Sequence, residues 1–202
     1  EYAAQYSTGI KVSGKNSFAY NEGVITINGE EKVTSQGMQA ENRGTITNNG
    51  KEDKYSTIYV SGSASSGMSA KTNGTAVNDK YGYIEATNKG TGIKVDGKGS
   101  TGTNKGSILV TGAGSSKGMS AINGGTIINE IGSLIQMNGL TNQGAIGIDI
   151  QSGSTGTNKG VIEVSAVKYT SAISSAGAGS KGINEETGKI IFVGDTKNTS
   201  NA

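Results

Sequence analysis

One phrase of fourteen residues is written three times in this chain. Ser35–Asn48 reads SQGMQAENRGTITN, Ser65–Asn78 reads SSGMSAKTNGTAVN and Ser116–Asn129 reads SKGMSAINGGTIIN, with Gly-Met, Ala, Gly-Thr and the final Asn kept each time. Self-similarity at a period of roughly 20–50 residues marks a solenoid or propeller, whose units bury their apolar faces only against one another. Each unit must therefore present the same side chains at the same places. A glycine followed by a medium-sized apolar residue recurs at Gly9-Ile10, Gly37-Met38, Gly67-Met68, Gly92-Ile93, Gly118-Met119, Gly147-Ile148 and Gly182-Ile183, at glycine spacings of 28, 30, 25, 26, 29 and 35. Such irregular but bounded steps fit the coils of a β-helix, which tolerate loops of different size between stacked strands. The strict beat of a hexapeptide helix is absent, as is the calcium-binding nonapeptide GGxGxDxUx.

Two kinds of coil are interleaved. The long kind is GIKVSGKNSFAYNEGVITI from Gly9, GIKVDGKGSTGTNKGSILV from Gly92 and GIDIQSGSTGTNKGVIEV from Gly147; the short kind is the repeated phrase. Both reach an Asn-x-Gly turn, at Asn21/Gly23, Asn42/Gly44, Asn104/Gly106, Asn123/Gly125 and Asn158/Gly160, with Thr72-Asn73-Gly74 in the same place. Asn and Gly accept positive φ and suit a sharp corner. Two residues past that Gly stand Ile25, Ile46, Ala76, Ile108, Ile127, Ile162 and, after Gly188, Ile190. Four past it the long coils have Ile27, Val110 and Val164, and the short ones Asn48, Asn78 and Asn129. A period of two puts these residues on one side of a strand. Stacked coils then build an apolar inner column, and the asparagine amides bond to neighbouring backbone or to each other at the next corner.

The expectation is an all-β protein, a parallel β-helix of roughly seven irregular coils making a rod about 30–35 Å long at ~4.8 Å per coil. Residues 1–8 read as a lead-in or partial coil, 9–194 as the solenoid, and 195–202 (DTKNTSNA) as a polar tail or linker.

Composition supports strands. There are 21 Ile and 11 Val against 3 Leu, with 34 Gly and no Pro, Cys, Trp or His. β-branched residues favour a pleated surface, whereas helices lean on Leu, Ala and Glu. Ile, Val, Leu and Phe number only 37 of 202 residues, a fraction seen in disordered chains. Disorder also requires high net charge, and here the net charge is +2 with apolar residues in register. Lysines scattered among acids form no basic stripe, which argues against nucleic acid. No apolar run is long enough for a membrane-spanning helix.

The Gly/Asn/Ser/Thr-rich coils with GIxV, NxGxI and GMxA phrases, free of Cys and Pro, resemble the passenger domains of Gram-negative autotransporter adhesins of the type V secretion route, over about Gly9 to Gly194. That resemblance implies a right-handed β-helix displayed extracellularly on a bacterial surface, with adhesion to a host-cell or bacterial surface protein or glycan. It also implies anchoring in the outer membrane through a barrel outside this stretch, which itself inserts in no membrane. Trimeric autotransporter heads, with shorter repeats and coiled-coil stalks, fit less well because no heptads occur.

Without His or Cys, His-dependent triads and Cys nucleophiles are excluded, so a β-helical polysaccharide-active enzyme would need carboxylates, Lys and Arg. The acidic pairs Glu30-Glu31, Glu52-Asp53 and Glu185-Glu186 sit in Gly/Lys-rich loops, and the only arginine, Arg43, is at a turn tip. Neighbouring loop carboxylates are usually solvated rather than converging across a cleft. No catalytic residue, cofactor or metal is assigned; the oxygen-rich stretch Asn48–Asp53 could hold Ca²⁺ but lacks the spacing of a Ca²⁺ loop and carries Lys51. Threonine ranks of the T-x-T kind are noted at Thr45–Thr47 and Thr101–Thr103, with no stack evident.

The candidate binding residues are aromatic. DKYSTI at Asp53–Ile58 and DKYGYI at Asp79–Ile84 repeat at a separation of 26, which predicts Tyr55 above Tyr81 on neighbouring coils. Tyr59, between Ile58 and Val60, points outward by alternation, and Tyr83 belongs to the same set. Outward tyrosines offer an apolar face and a hydroxyl to sugars or proteins. The plain alternative is a stacking ladder that closes the solenoid over an insertion. The leading function is thus a non-catalytic surface adhesin or spacer; the alternative is end-to-end self-assembly, since open β-helix ends are unpaired sheet edges.

Overall fold

The structure, a computed structural model, describes residues 6–29, 34–112, 114–138, 144–165 and 170–193. The proposed tail 195–202 and the pair Glu30-Glu31 lie outside these residues. The chain winds as a right-handed parallel β-helix, and the described residues contain no helix. Each of seven coils gives one strand to each of three seven-stranded parallel sheets. The fourth coil shows the plan, with Thr91–Asp96 in the first sheet, Thr101–Asn104 in the second and Ser107–Thr111 in the third. Successive strands of the first sheet are Tyr6–Ser13, Thr34–Glu41, Ser66–Lys71, Thr91–Asp96, Lys117–Ile122, Ile146–Gln151 and Ser171–Ala176.

The inner face of the third sheet is a column of isoleucine. Register places Ile25, Ile58, Ile84, Ile108, Ile135, Ile162 and Ile190 one above another. The five central ones are fully buried, and the two at the ends partly so. β-Branched side chains are stiff at χ1 and pack well on a pleated surface, which explains Ile over Leu.

The structure corrects how the two kinds of coil arise. The turns read as one Asn-x-Gly corner are two. Asn42/Gly44 and Asn123/Gly125 join the first sheet to the second, whereas Asn21/Gly23, Asn104/Gly106 and Asn158/Gly160 join the second to the third. Ile46, Ala76 and Ile127 therefore line the second sheet, apart from the isoleucine column. The coil types differ instead in how volume is shared across the interior. Where the first sheet offers Met-x-Ala (Met38/Ala40, Met68/Ala70, Met119/Ala121), the second fills the gap with Ile46, Ala76 and Ile127. Where the first sheet offers Ile-x-Val or Ile-x-Ile, the second retreats to Gly102 and Gly156. A Cβ on Gly102 would stand 2.7 Å from Val95 Cγ2, and one on Gly156 2.6 Å from Ile150 Cγ1. In the fourth and sixth coils the bulk thus sits on the first sheet and in the second and fifth more of it on the second, whereas the third coil (Met68/Ala70/Ala76) and the first (Ile10/Val12/Ala19) share it differently.

With the corners separated, the asparagines fall into one column at the turn between the second and third sheets: Asn21, Asn48, Asn78, Asn104, Asn129, Asn158 and Asn184. Each amide Nδ2 donates to Oδ1 of the next, at 2.7–2.9 Å. The five from Asn48 to Asn158 are fully buried. Their amides also reach backbone carbonyls at the corner, so Asn104 Nδ2 meets Gly106 and Leu134 oxygens. A buried polar group that leaves no donor idle holds its corner in one register at little desolvation cost.

The seventh Gly-apolar step, expected at Gly182-Ile183, is taken by Ala172-Ile173, since Ile148 pairs with Ile173 and Gly182 pairs with Gly156 in the second sheet. The first-sheet glycine is needed where another coil lies beyond it. A Cβ on Gly118 would be 2.6 Å from the Gly147 carbonyl oxygen and 2.9 Å from Ile135 Cγ2. In the seventh coil the position is taken by Ala172, which is buried. The thought that threonine ranks do not stack is also revised. Thr45, Thr75, Thr101, Thr126 and Thr155 form one outward column of the second sheet, with Thr101 Oγ1 donating to Thr75 Oγ1 at 3.2 Å.

Candidate functional site

The four tyrosines converge on one corner and the adjoining edge of the third sheet. Lys51 and Lys54 exchange backbone hydrogen bonds of 2.8 and 3.0 Å, closing a tight insertion that carries Tyr55 outward. Gly50 lets that insertion approach the Tyr81 backbone, where a Cβ would collide with the Tyr81 carbonyl. The two rings meet edge to face, with centroids 6.2 Å apart and planes at 83°, a geometry that aligns the positive ring edge with the negative face. Lys80 Nζ lies 4.9 Å from the Tyr81 centroid, and hydrogen bonding to Tyr81 raises its pKa above the ordinary value. Tyr59 and Tyr83 sit on adjacent strands, in register with Glu85 and Thr57.

These tyrosines differ in exposure. Tyr55 and Tyr59 are exposed, at 59% and 42%, while Tyr81 and Tyr83 are half-buried. Partial burial, reinforced by Glu85, pushes Tyr83 up to about 12, and its hydroxyl donates to Glu85 Oε2 at 3.4 Å. The corner thus combines two accessible ring faces, a cation and a carboxylate. That set can stack on an apolar ring face and bond its substituents. The pairs Glu52-Asp53 and Glu185-Glu186 are exposed on loops, and Arg43 is an exposed turn residue with φ of 69°. Asn48, the first oxygen donor considered for Ca²⁺, is committed instead to the asparagine ladder, donating to Asn78 and accepting from Asn21.

Reasoning from the kept positions overlooked the outer face of the first sheet. The outer face of that sheet carries a cleft of about 410 Å³ lined by Lys89, Thr91, Lys94, Lys117, Ser120 and Gln151 among others. A smaller cleft of about 220 Å³ opens farther along it, at Lys11, Gln36, Gln39 and Lys71. The available signal was variation rather than conservation between copies of the phrase. The residue before Gly-Met is Gln36, Ser66 or Lys117, and the residue after it is Gln39, Ser69 or Ser120; these change because they face outward.

The family model of the BigA third pectate lyase-like domain matches residues 1–82 and again 51–132, together covering 132 of 202 residues. The second match is displaced by 50 residues, close to the two-coil step from Met68 through Ile93 to Met119. No curated protein and no solved structure matches the chain.

Proposed function

We propose that this chain, which belongs to the BigA third pectate lyase-like domain family, is a non-catalytic adhesive module of a bacterial surface protein, presented as an autotransporter passenger. Pectate lyase-like names a fold and carries no statement about lyase chemistry. The solenoid acts as a rigid display rod, and its recognition residues stand where an insertion interrupts the coils. Tyr55, Tyr59, Tyr81 and Tyr83 form the contact face for a protein or glycan on a host or bacterial surface. The supporting observation is the edge-to-face pair of Tyr55 and Tyr81 beside exposed Tyr59, an apolar area that the described residues leave open to solvent. Paired carboxylates across a cleft, as glycan hydrolysis requires, are not among the described residues that line the clefts.

The test compares wild type with the Tyr55→Ala/Tyr81→Ala double variant on a glycan array and on immobilised bacterial and host cells. Binding reduced by about tenfold or more, with the sheet spectrum kept, supports the reading. Unchanged binding removes the tyrosine face from the function.

A second reading, end-to-end assembly, is favoured by apolar side chains exposed at both ends. Phe18, Tyr20 and Val24 lie in the first coil, and Ile191, Phe192 and Val193 in or just beyond the last strand. Phe18, Tyr20, Val24 and Ile191 face outward, in register with Thr45, Thr47, Thr57 and Glu163, so a second copy would cover them only by overlapping the sides of the end coils. Light scattering over a concentration series distinguishes the readings, since a persistent monomer counts against assembly.

A further inference from the structure

Asparagine followed by glycine is open to intramolecular attack, because glycine has no Cβ to shield its amide nitrogen from the asparagine side chain. Five such pairs occur in the chain: Asn28-Gly29, Asn49-Gly50, Asn73-Gly74, Asn123-Gly124 and Asn138-Gly139, the last with its glycine outside the described residues. In the attack the glycine nitrogen loses its proton and turns toward the asparagine Cγ. A hydrogen bond from that N–H fixes the direction of the nitrogen and has to be given up first.

Three of the four described pairs are held in this way. Gly29 N donates to the Ser61 carbonyl and Gly74 N to the Lys71 carbonyl, both at 2.8 Å. Gly124 N donates to the Ser152 carbonyl and to Ser154 Oγ, each at 3.1 Å. Gly50 N has no acceptor among the described residues. The Asn49 side chain is loosely tied, by one hydrogen bond from Nδ2 to Glu22 Oε1 at 3.3 Å, and both residues are half-buried, so water reaches them.

Asn49 also stands out in its place in the coil. The residue after each ladder asparagine is Glu22, Asn49, Asp79, Lys105, Glu130, Lys159 and Glu185, and Asn49 alone is uncharged. Asn49 N donates to the Asn21 carbonyl at 2.8 Å, and Asp79 N makes the equivalent bond to the Asn48 carbonyl at 3.0 Å. An aspartate therefore fits this position without a change of backbone.

We propose that Asn49-Gly50 is a deamidation site, converted within the folded protein to aspartate and isoaspartate. The Gly50 nitrogen bonds to Asn49 Cγ, the Cγ–Nδ2 bond breaks, and ammonia leaves carrying the proton that the glycine gave up. Water then opens the resulting succinimide at either carbonyl. Opening at Cγ gives aspartate in an unaltered main chain. Opening at the main-chain carbonyl gives isoaspartate, whose chain runs through the former side chain and is one carbon longer. Water is the only co-reactant, and nothing is oxidised or reduced. The new carboxylate lies between Glu22 and Asp79, and isoaspartate lengthens the chain where Gly50 closes on the Tyr81 carbonyl. The insertion that carries Tyr55 then shifts against Tyr81, whatever those tyrosines bind.

The test incubates the whole chain in mildly alkaline buffer, folded and in urea, and follows each site by peptide mapping for the gain of about 1 Da. In the folded chain Asn49 is expected to convert about fivefold faster or more than Asn28, Asn73 and Asn123, the factor set by a hydrogen bond that must open first. Urea brings the four rates together. An isoaspartyl methyltransferase labels the longer product at residue 49, and Asn49→Gln, whose extra methylene disfavours ring closure, abolishes both signals there. Asn49 left intact in the folded chain, a rate no higher than at the three held pairs, a preference that persists in urea, or conversion that survives in Asn49→Gln each overturns the proposal. No binding is measured, so a failure of the tyrosine reading leaves these outcomes unchanged.

Discussion

Removing one rung of the asparagine ladder should cost more than its size suggests, and the structure supplies the figure. Asn104 Nδ2 donates to Asn129 Oδ1 at 2.8 Å, and its Oδ1 accepts from Asn78 Nδ2 at 2.8 Å. In Asn104→Ala the neighbours are not orphaned. Asn78 still donates to the Gly82 and Ser107 carbonyls, and Asn129 still accepts from Ser133 Oγ at 2.8 Å. The loss is therefore two short buried hydrogen bonds and a small cavity, about 2–3 kcal/mol. Asn104→Asp keeps the shape but puts a carboxylate oxygen against Asn129 Oδ1 and the Gly106 and Leu134 carbonyls. An uncompensated buried charge raises the cost to about 3–5 kcal/mol at neutral pH.

That fence of oxygens lifts the pKa of the new carboxyl above its unfolded value. The protonated form donates one hydrogen bond, so the variant is most stable below the unfolded pKa and loses that stability as pH rises through the folded one. The exposed end member gives the control: Asn184→Ala, already half in water, should cost about 1 kcal/mol or less. Urea unfolding followed by circular dichroism measures all three, provided a single transition with unchanged m is seen, since repeat arrays can lose cooperativity. The reasoning fails if Asn104→Ala falls within about 0.5 kcal/mol of Asn184→Ala, or if Asn104→Asp is no worse than Asn104→Ala at neutral pH.

Gly118→Ala should destabilise by about 1–3 kcal/mol, because its Cβ meets backbone of the next coil and a core isoleucine, neither of which can yield; a melting temperature equal to that of the parent would refute this. Ultraviolet titration should show one tyrosine ionising near pH 12, lost in Tyr83→Phe. Because the unfolded phenol ionises near 10, the contribution of Tyr83 to stability is complete below that pH and disappears as pH rises through about 12.

The stacking direction and the inner face were legible in the chain because they repeat. Ile25, Ile108, Ile162 and Ile190 recur two residues past a turn glycine, and a residue that packs on its own copy in the next coil must keep its type; Ile58, Ile84 and Ile135, which lack the Asn-x-Gly phrase, were placed in that column only by the register of the third sheet. The pairing of Tyr55 with Tyr81 was legible for the same reason. The corners were harder. Asn48 and Asn104 look like different positions when counted from the nearest Gly, since the preceding glycine belongs to one turn and the following glycine to another. Only the common register of the second sheet shows them to be one ladder. Ala172 was missed as the seventh step because it departs from the Gly-apolar phrase, and only the pairing of Ile173 with Ile148 reveals its place.

By itself the sequence determined that coils stack in parallel and which side chains face inward, because burial against an identical neighbour imposes a repeat that can be read. Tertiary structure decided what the outside is. Lys94, Ser69 and Ser120 stand side by side while lying 25–26 residues apart along the chain. Their alignment depends on the lengths of intervening loops, and outward positions, free of packing constraint, carry no repeat to announce them.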